Sequence, residues 1–292
     1  MNLPSVSIVI PSYKPAHFEQ ALRSAIGQTY SNIEIIVSDN CPTEEIKKIC
    51  FKFPEVIYQR CSVLGGSNVL AALFSAKGVY IKPLFDDDIL HPFCVERMVS
   101  AISIREDVEM VFSQTSTINY VNEKTQLRKP YASSGLLLDV DLKRSMIMSF
   151  TNVVGEFSSI LFKREKIWKI GPKDLFFYEG VDFTKGLADV VFYLNLTRDS
   201  YSYYIDEELS YFRCDSSIAS NSNPTSNGDF GYCISDWIDL LILTHSAGAI
   251  TTKELFDARN KVDYWVRVYG EIYEQVRASG NRYAVYISDM FM

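Results

Sequence analysis

Two spacings of apolar residues alternate along the first third of this chain. Short unbroken runs rich in Val, Ile and aromatic residues are separated by stretches whose apolar positions recur every three or four residues. The runs VSIVI (6–10), IEIIVSD (33–39), VIYQR (56–60), VYIKPLF (79–85) and VEMVFSQ (108–114) read as strands. The first two are apolar at successive positions, as in strands buried on both faces. Between the runs, Phe18, Leu22, Ala25 and Ile26 mark one helix, and Ile46, Ile49 and Phe53, following Pro42, mark a second. SNVLAALFSAKG, closed by Gly78, reads as a third helix and PFCVERMVSAISIRE as a fourth. Strand and helix therefore alternate five strands deep by residue 114, which predicts a Rossmann-like, doubly wound α/β sheet, mostly parallel and flanked by helices.

Beyond residue 115 the alternation loosens. KPYASSGLLLD (129–139) reads as a loop leading into a short helix, and FSSILFKREKIWKIG as a strand and then a helix capped by Gly171. GLADVVFYLNLTRDS reads as a helix with Val190, Leu194 and Thr197 on one stripe, and YSYYID and LSYFR as separate strands. Residues 215–229, rich in Ser, Asn and Gly, read as a loop, and the remainder from Tyr232 as two or three helices. The expected division is one α/β domain over 1–225, with halves 1–115 and 116–225, and a helical extension over 226–292.

In doubly wound sheets a ligand lies outside the carboxyl ends of the strands. Three of those ends carry polar groups: Ser12 and Tyr13, Asp39 and Asn40, and the triplet Asp86-Asp87-Asp88. Neighbouring carboxylates repel, and burying them is costly without a cation. The triplet therefore points to a cationic partner; the competing reading is a solvated acidic turn.

Composition narrows the classes. Hydrophobic residues make up 47% and charged residues 22% of 292, enough for a sizeable core, and the net charge of −7 with no basic cluster argues against nucleic acid as a partner. Six scattered cysteines without a C-x-x-C pair, beside three histidines, fit reduced thiols rather than a zinc site. The opening residues lack the features of a signal peptide, and no apolar run reaches the roughly 18 residues of a spanning helix. A cytoplasmic location is expected, with peripheral contact at the inner face of a membrane left open. In 264–277, Trp265, Tyr269 and Tyr273 lie among mixed charges, which favours packing on the α/β domain or a second subunit over a membrane surface.

Five segments, SIVIPSYK, QTYSNIEIIVSDN, GGSNVLAALFSAKGVYIKPLFDDD, FKREKIWKIG with GLADVVFYLNL, and LSYFRCDSSIAS, come in the order and spacing of the family 2 glycosyltransferases. Over roughly residues 5–220 the chain resembles that family, which implies a GT-A fold with the helical extension appended. It departs from the pattern at Ser67 before Asn68, at Ala188 before Asp189, at Asp215 two residues after Arg213, and at Phe85 before the triplet.

The resemblance implies an inverting, metal-dependent transfer from a nucleotide-sugar, a UDP-sugar by expectation, to a glycan or lipid-linked saccharide acceptor in bacterial surface polysaccharide synthesis. It implies donor contacts from Pro11, Ser12, Tyr13, Asp39, Asn68, Asp86 and Arg213. Tyr13 would stack on the base and Asp39 accept the uracil N–H; ordinary packing and a turn cap before Pro42 are the plain alternatives. Asp87, Asp88 and Asp215 would hold Mn2+ or Mg2+, which suits hard oxygen donors shared with phosphate. Asp189 would be the general base, with Asp182 and Glu179 as rivals and helix capping as its structural alternative. For Arg213 the alternative is a surface arginine. Two further functions stay open: a catalytically degenerate nucleotide- or glycan-binding module, and a sugar-phosphate nucleotidyltransferase, although PSYKPAHFEQ is not the glycine- and lysine-rich loop of the latter.

Overall fold

The computed structural model describes residues 3–63, 66–214 and 230–268. Two compact units share them. The first draws on Met1–Asp139, Val154–Leu175 and Asn195–Asp215, the second on Val140–Val153, Phe176–Leu194 and the chain beyond Ser216. A single boundary near residue 225 was expected; instead, two internal segments group with the C-terminal helices.

The first unit opens with β1 (Val6–Ser12), α1 (Phe18–Ile26), β2 (Ile33–Asp39), α2 (Glu45–Cys50), β3 (Val56–Arg60), α3 (Gly66–Ser75) and β4 (Tyr80–Pro83). Then follow β5 (Ile89–Leu90), α4 (Cys94–Ile102), β6 (Val108–Ile118), β7 (Lys124–Arg128) and β8 (Gly135–Leu138). After α5 (Asp139–Ser149), a 3-10 turn (Phe157–Ser159) leads into β9 (Ile160–Lys163) and α6 (Arg164–Ile170). The hairpin β10 (Phe177–Tyr178) and β11 (Val181–Asp182) precedes α7 (Ala188–Thr197) and β12 (Tyr201–Arg213), and α8 (Phe230–Ser246) and α9 (Thr252–Val268) follow.

Ten strands form the sheet of the first unit, ordered β3-β2-β1-β4-β9-β6-β12-β5, with β7 on β6 and β8 on β12. The longer ladders, β1 on β2, β2 on β3 and β12 on β6, are parallel, whereas β9 runs antiparallel to both β4 and β6. Every residue of β1 is buried, as its unbroken apolar run demands. α1 and α4 bury Phe18, Leu22, Ala25, Val95, Met98 and Ile102 beside Ile8, Ile10 and Val111.

Four expectations change. GLLL is β8, not loop. YSYYID and LSYFR fuse into one strand, with register irregularities around Glu208 absorbing the polar interruption. α3 ends at Ser75, and Gly78 serves close packing: a Cβ there would lie 2.6 Å from the Ser7 backbone nitrogen. α7 has no single buried stripe, because Val190 to Thr197 are all buried.

In the second unit, Phe150 lies 6.1 Å from Trp237 of α8, Arg144 of α5 pairs with Glu254 of α9, and the Lys261 ammonium donates to the Ser149 carbonyl. These ties explain why 140–153 belongs with the C-terminal helices. Among the described residues no helix is long and apolar enough to cross a membrane. Asp215, the loop over 215–229, Tyr269 and Tyr273 lie outside the described residues.

Candidate active site

β1 and β4 are parallel neighbours, so their carboxyl ends open on the same edge of the sheet. The chain leaves β1 through Tyr13 and Lys14 and leaves β4 through Phe85 and the aspartate triplet. A cavity of about 390 Å³ lies between these exits, within the range of small-molecule sites. Its lining comes from Pro11–Lys14, Asn40, Asn68 and Val69 of α3, Phe85 and Asp86. Of the donor residues expected from sequence, Pro11, Ser12, Tyr13, Asn68 and Asp86 meet here.

The three aspartates differ in what they touch. Asp86, 7% exposed, accepts the backbone N–H groups of Tyr13 and Lys14 on one oxygen, at 2.6 Å each, and so fixes the turn after β1. Burial, reinforced by the charge of Asp87, pushes its pKa up to about 6 despite those two donors. Asp87 is partly open and pairs with the Lys14 ammonium at 3.3 Å. Asp88 is fully buried: Ser158 donates its hydroxyl to one oxygen at 2.5 Å, and the Arg213 backbone N–H bonds the other at 3.0 Å. Burial raises the pKa of Asp88 well above the usual carboxylate range, again with the Asp87 charge adding.

This donor set fits a divalent cation. Two carboxyls have their charged forms disfavoured partly by a third beside them, a repulsion a dication would relieve. Asp87, the more open of the three, would hold it, with Asp86 beside it. The expected ligation by Asp88 is corrected, since protein donors already engage both of its oxygens. Among the described residues no three His, Cys, Asp or Glu side chains are grouped to hold a metal, so phosphate and water oxygens would complete the shell.

Arg213 is not a cavity residue. It is 2% exposed, and its guanidinium donates to the Asp87, Asn119 and Tyr120 carbonyls and to the side chains of Gln20 and Asn122. The expected diphosphate contact is thus replaced by an internal brace behind the triplet. Asp39 is also turned inward: one oxygen accepts the Cys41 N–H at 2.8 Å, the other the Tyr58 hydroxyl at 2.8 Å and Arg60 at 2.9 Å. Both the turn-capping alternative and an ion pair are present there, and Asn40 reaches the cavity in its stead. Asn68 ties α3 to β2, accepting the Ser38 hydroxyl and donating to the Ser38 carbonyl and the Asn40 side chain. Tyr13 is 53% exposed at the cavity, a ring free to stack.

Sequence reasoning missed Lys14, although it stands inside the motif quoted for the first strand. It also missed Ser158 and the fully buried Lys82, whose ammonium donates to the Pro83 and Ser158 carbonyls and whose pKa burial lowers to about 8. Ser158 also accepts the Phe85 N–H at 2.9 Å, so one serine clamps both ends of the aspartate turn. No local signal marks a partner 70 residues away.

Asp189 lies in the second unit, in the first turn of α7, half-buried. One oxygen accepts the Val190 N–H at 2.8 Å and the other the Asn152 amide at 2.7 Å. Its rival Asp182 is exposed and bonds the backbone and hydroxyl of Thr184.

The family model for glycosyl transferase family 2 matches residues 7–171, more than half of the chain. An uncharacterized glycosyltransferase of Haemophilus influenzae is 26% identical over 230 residues, 76% of this chain and 72% of that one. One from Rickettsia prowazekii is 31% identical over 111 residues, so that the match spans only 35% of its length and 37% of this chain. Among solved structures, S. aureus TarS 1–349 in complex with UDP-GlcNAc superposes with a TM-score of 0.61 at 13% identity, covering 82% of this chain and 66% of that one. The same protein in complex with UDP gives 0.58. These structural likenesses establish the fold, a GT-A-like mixed sheet flanked by helices.

Proposed function

Since the chain belongs to glycosyl transferase family 2, we propose that this glycosyltransferase moves a sugar from a UDP-sugar to a hydroxyl of a glycan or lipid-linked saccharide, with inversion and with a divalent cation, in the cytoplasmic stage of bacterial surface polysaccharide synthesis. The observation that carries the reading is the cavity at the ends of β1 and β4, lined by an exposed tyrosine ring, a lysine and the Asp86 carboxylate, with Asp87 next to it in the chain and paired with that lysine. That set matches a nucleoside diphosphate: an aromatic face for the base, a cation for phosphate, and carboxylates for metal. The complexes of TarS with UDP and UDP-GlcNAc point to the same donor class.

Within this reading Tyr13 stacks on the base, Asn40 and Asn68 shape the wall, and Lys14 sits beside the diphosphate. Mn2+ or Mg2+ held at Asp87 would neutralise charge on the departing diphosphate. Asp189 takes the proton of the acceptor hydroxyl as it attacks the anomeric carbon, and the direction of that attack inverts the centre. Asn152 holds the Asp189 carboxylate.

Isothermal titration of UDP in Mn2+ and in EDTA tests the donor and metal assignments together. Binding is expected in Mn2+ and strongly weakened in EDTA, with Asp87→Asn reproducing the EDTA result. Equal affinity in the two buffers removes the metal from the reading, and no UDP binding in either removes the donor.

A further inference from the structure

α7 and α8 both lie beyond the family match, and the first turns of α8 hold the loop that leads into α7. The Leu187 N–H donates to Asp236 at 2.9 Å, and the Gly186 N–H also favours the ionised form of that carboxyl. The Cys233 thiol approaches the Gly186 carbonyl at 3.6 Å. The Lys185 ammonium sits 4.7 Å from the centre of the Tyr232 ring. Contact is so close that a methyl group on Gly186 would lie 2.7 Å from the Tyr232 carbonyl and collide with the Asp236 carboxylate. Only glycine lets the helix approach the loop this way.

Asp236 is 5% exposed, so its carboxylate is placed inside the protein rather than in solvent. It stands at the entry of α7, where the Leu187 carbonyl accepts the first intrahelical bond from Val191. The unpaired N–H groups and the positive end of the helix favour an anion at that point. Two residues on from Leu187 comes Asp189.

We infer that Asp236 is a positioning residue for Asp189: the C-terminal helix α8 supplies the carboxylate that fixes the entry of α7 and hence the place of its first-turn aspartate. The inference rests on the reading of Asp189 as general base. It also gives the C-terminal extension a role, since a chain without α8 would keep the donor cavity of the first unit but lose the hold on this loop.

The test combines exchange and kinetics. Hydrogen–deuterium exchange of peptides covering 183–192 is compared between the unaltered protein, Asp236→Ala and Asp236→Asn. Turnover is followed as UDP released from UDP-GlcNAc in Mn2+ for the same proteins, for Asp189→Asn, and for the double variant Asp189→Asn/Asp236→Ala. Asp236→Ala is expected to speed exchange over 183–192 and to lower kcat by about 10–100-fold, the scale of a displaced catalytic group, with KM for UDP-GlcNAc little changed. Asp236→Asn keeps the size and an accepting oxygen and should recover most of both. In the Asp189→Asn background the alanine should remove no further turnover. Should Asp236→Ala fail to fold, Gly186→Ala crowds the same contact from the loop side and should raise the same exchange. Unchanged exchange over 183–192 overturns the inference, and so does an additional loss of kcat in the double variant. If Asp189→Asn itself keeps normal turnover, the base assignment fails, while the exchange data still decide whether Asp236 holds the loop.

Discussion

Arg213 and Asp88 form a single buried unit, and its energetics differ from those of a ligand contact. The guanidinium bonds three backbone carbonyls and two side-chain amides, while the backbone N–H of Arg213 bonds Asp88. Removing the guanidinium leaves buried carbonyl and amide oxygens without their donor, and a buried polar group left unsatisfied costs about 1–3 kcal/mol. Arg213→Met is therefore expected to lower unfolding free energy on that scale in chemical denaturation, with little change in UDP affinity for the molecules that remain folded. Native stability with much weaker UDP binding would return Arg213 to the diphosphate. The types of residue at the strand ends were legible in the sequence, as Tyr13 and Asp86 at the cavity show. The direction each side chain faces was not: Asp39, Asp88 and Arg213 bond inward to Arg60, Ser158 and the 119–122 turn, partners set by tertiary packing.

At the scale of elements, β1, β2, β4 and β6 were legible because each is buried over most of its length, and β3 by its β-branched and aromatic run although it lies partly exposed at the end of the sheet, whereas the two-residue β5 was too short to leave a pattern. β8 was not legible, since Leu136 and Leu138 remain 38% and 41% exposed and the segment is held by pairing with β12 rather than by burial. The contact between α8 and the entry of α7 was equally invisible, and it carries a pH dependence. Burial pushes the Asp236 pKa up to about 7 from an ordinary 3.8, with Asp239 and Asp182 adding repulsion. Between those values the unfolded chain releases a proton that the folded chain keeps. Stability therefore falls as pH rises through this window, by up to about 1.4 kcal/mol per pH unit, and levels off above the folded value. Asp86 has the same sign but acts only up to about 6, and Lys82, lowered to about 8, acts in the opposite sense at higher pH. The buried Asp88 contributes with the same sign, so the comparison of denaturant midpoints between pH 6 and pH 7 with those of Asp236→Asn is what separates Asp236: a fall is expected in the unaltered protein and a flatter response in the variant. Equal slopes in the two proteins would mean that Asp236 is ionised at lower pH than its burial implies.

For the whole molecule, the donor cavity and the aspartate turn belong to one unit and Asp189 to the other. UDP with Mn2+ is expected to slow hydrogen exchange around residues 11–14 and 85–88 while leaving 252–268 unaffected. Protection confined to the α9 peptides instead would move the nucleotide out of the cavity. The order of the sheet has a further outcome. β9, from residues 160–163, lies between β4 and β6, which precede it by some fifty residues or more of chain. During synthesis β1 to β4 can assemble as they emerge, but β4 keeps one edge open until β9 pairs with it, and β6 waits for β9 on one side and for β12 on the other. Open edges are where nascent chains pair with one another, so the molecule has an interval of exposure on the ribosome that ends only when Arg213, the last residue of β12, has cleared the tunnel. A chain stopped after residue 150 should be recovered largely as aggregate, and one stopped after residue 214 largely as soluble protein, because the second length alone closes the gap.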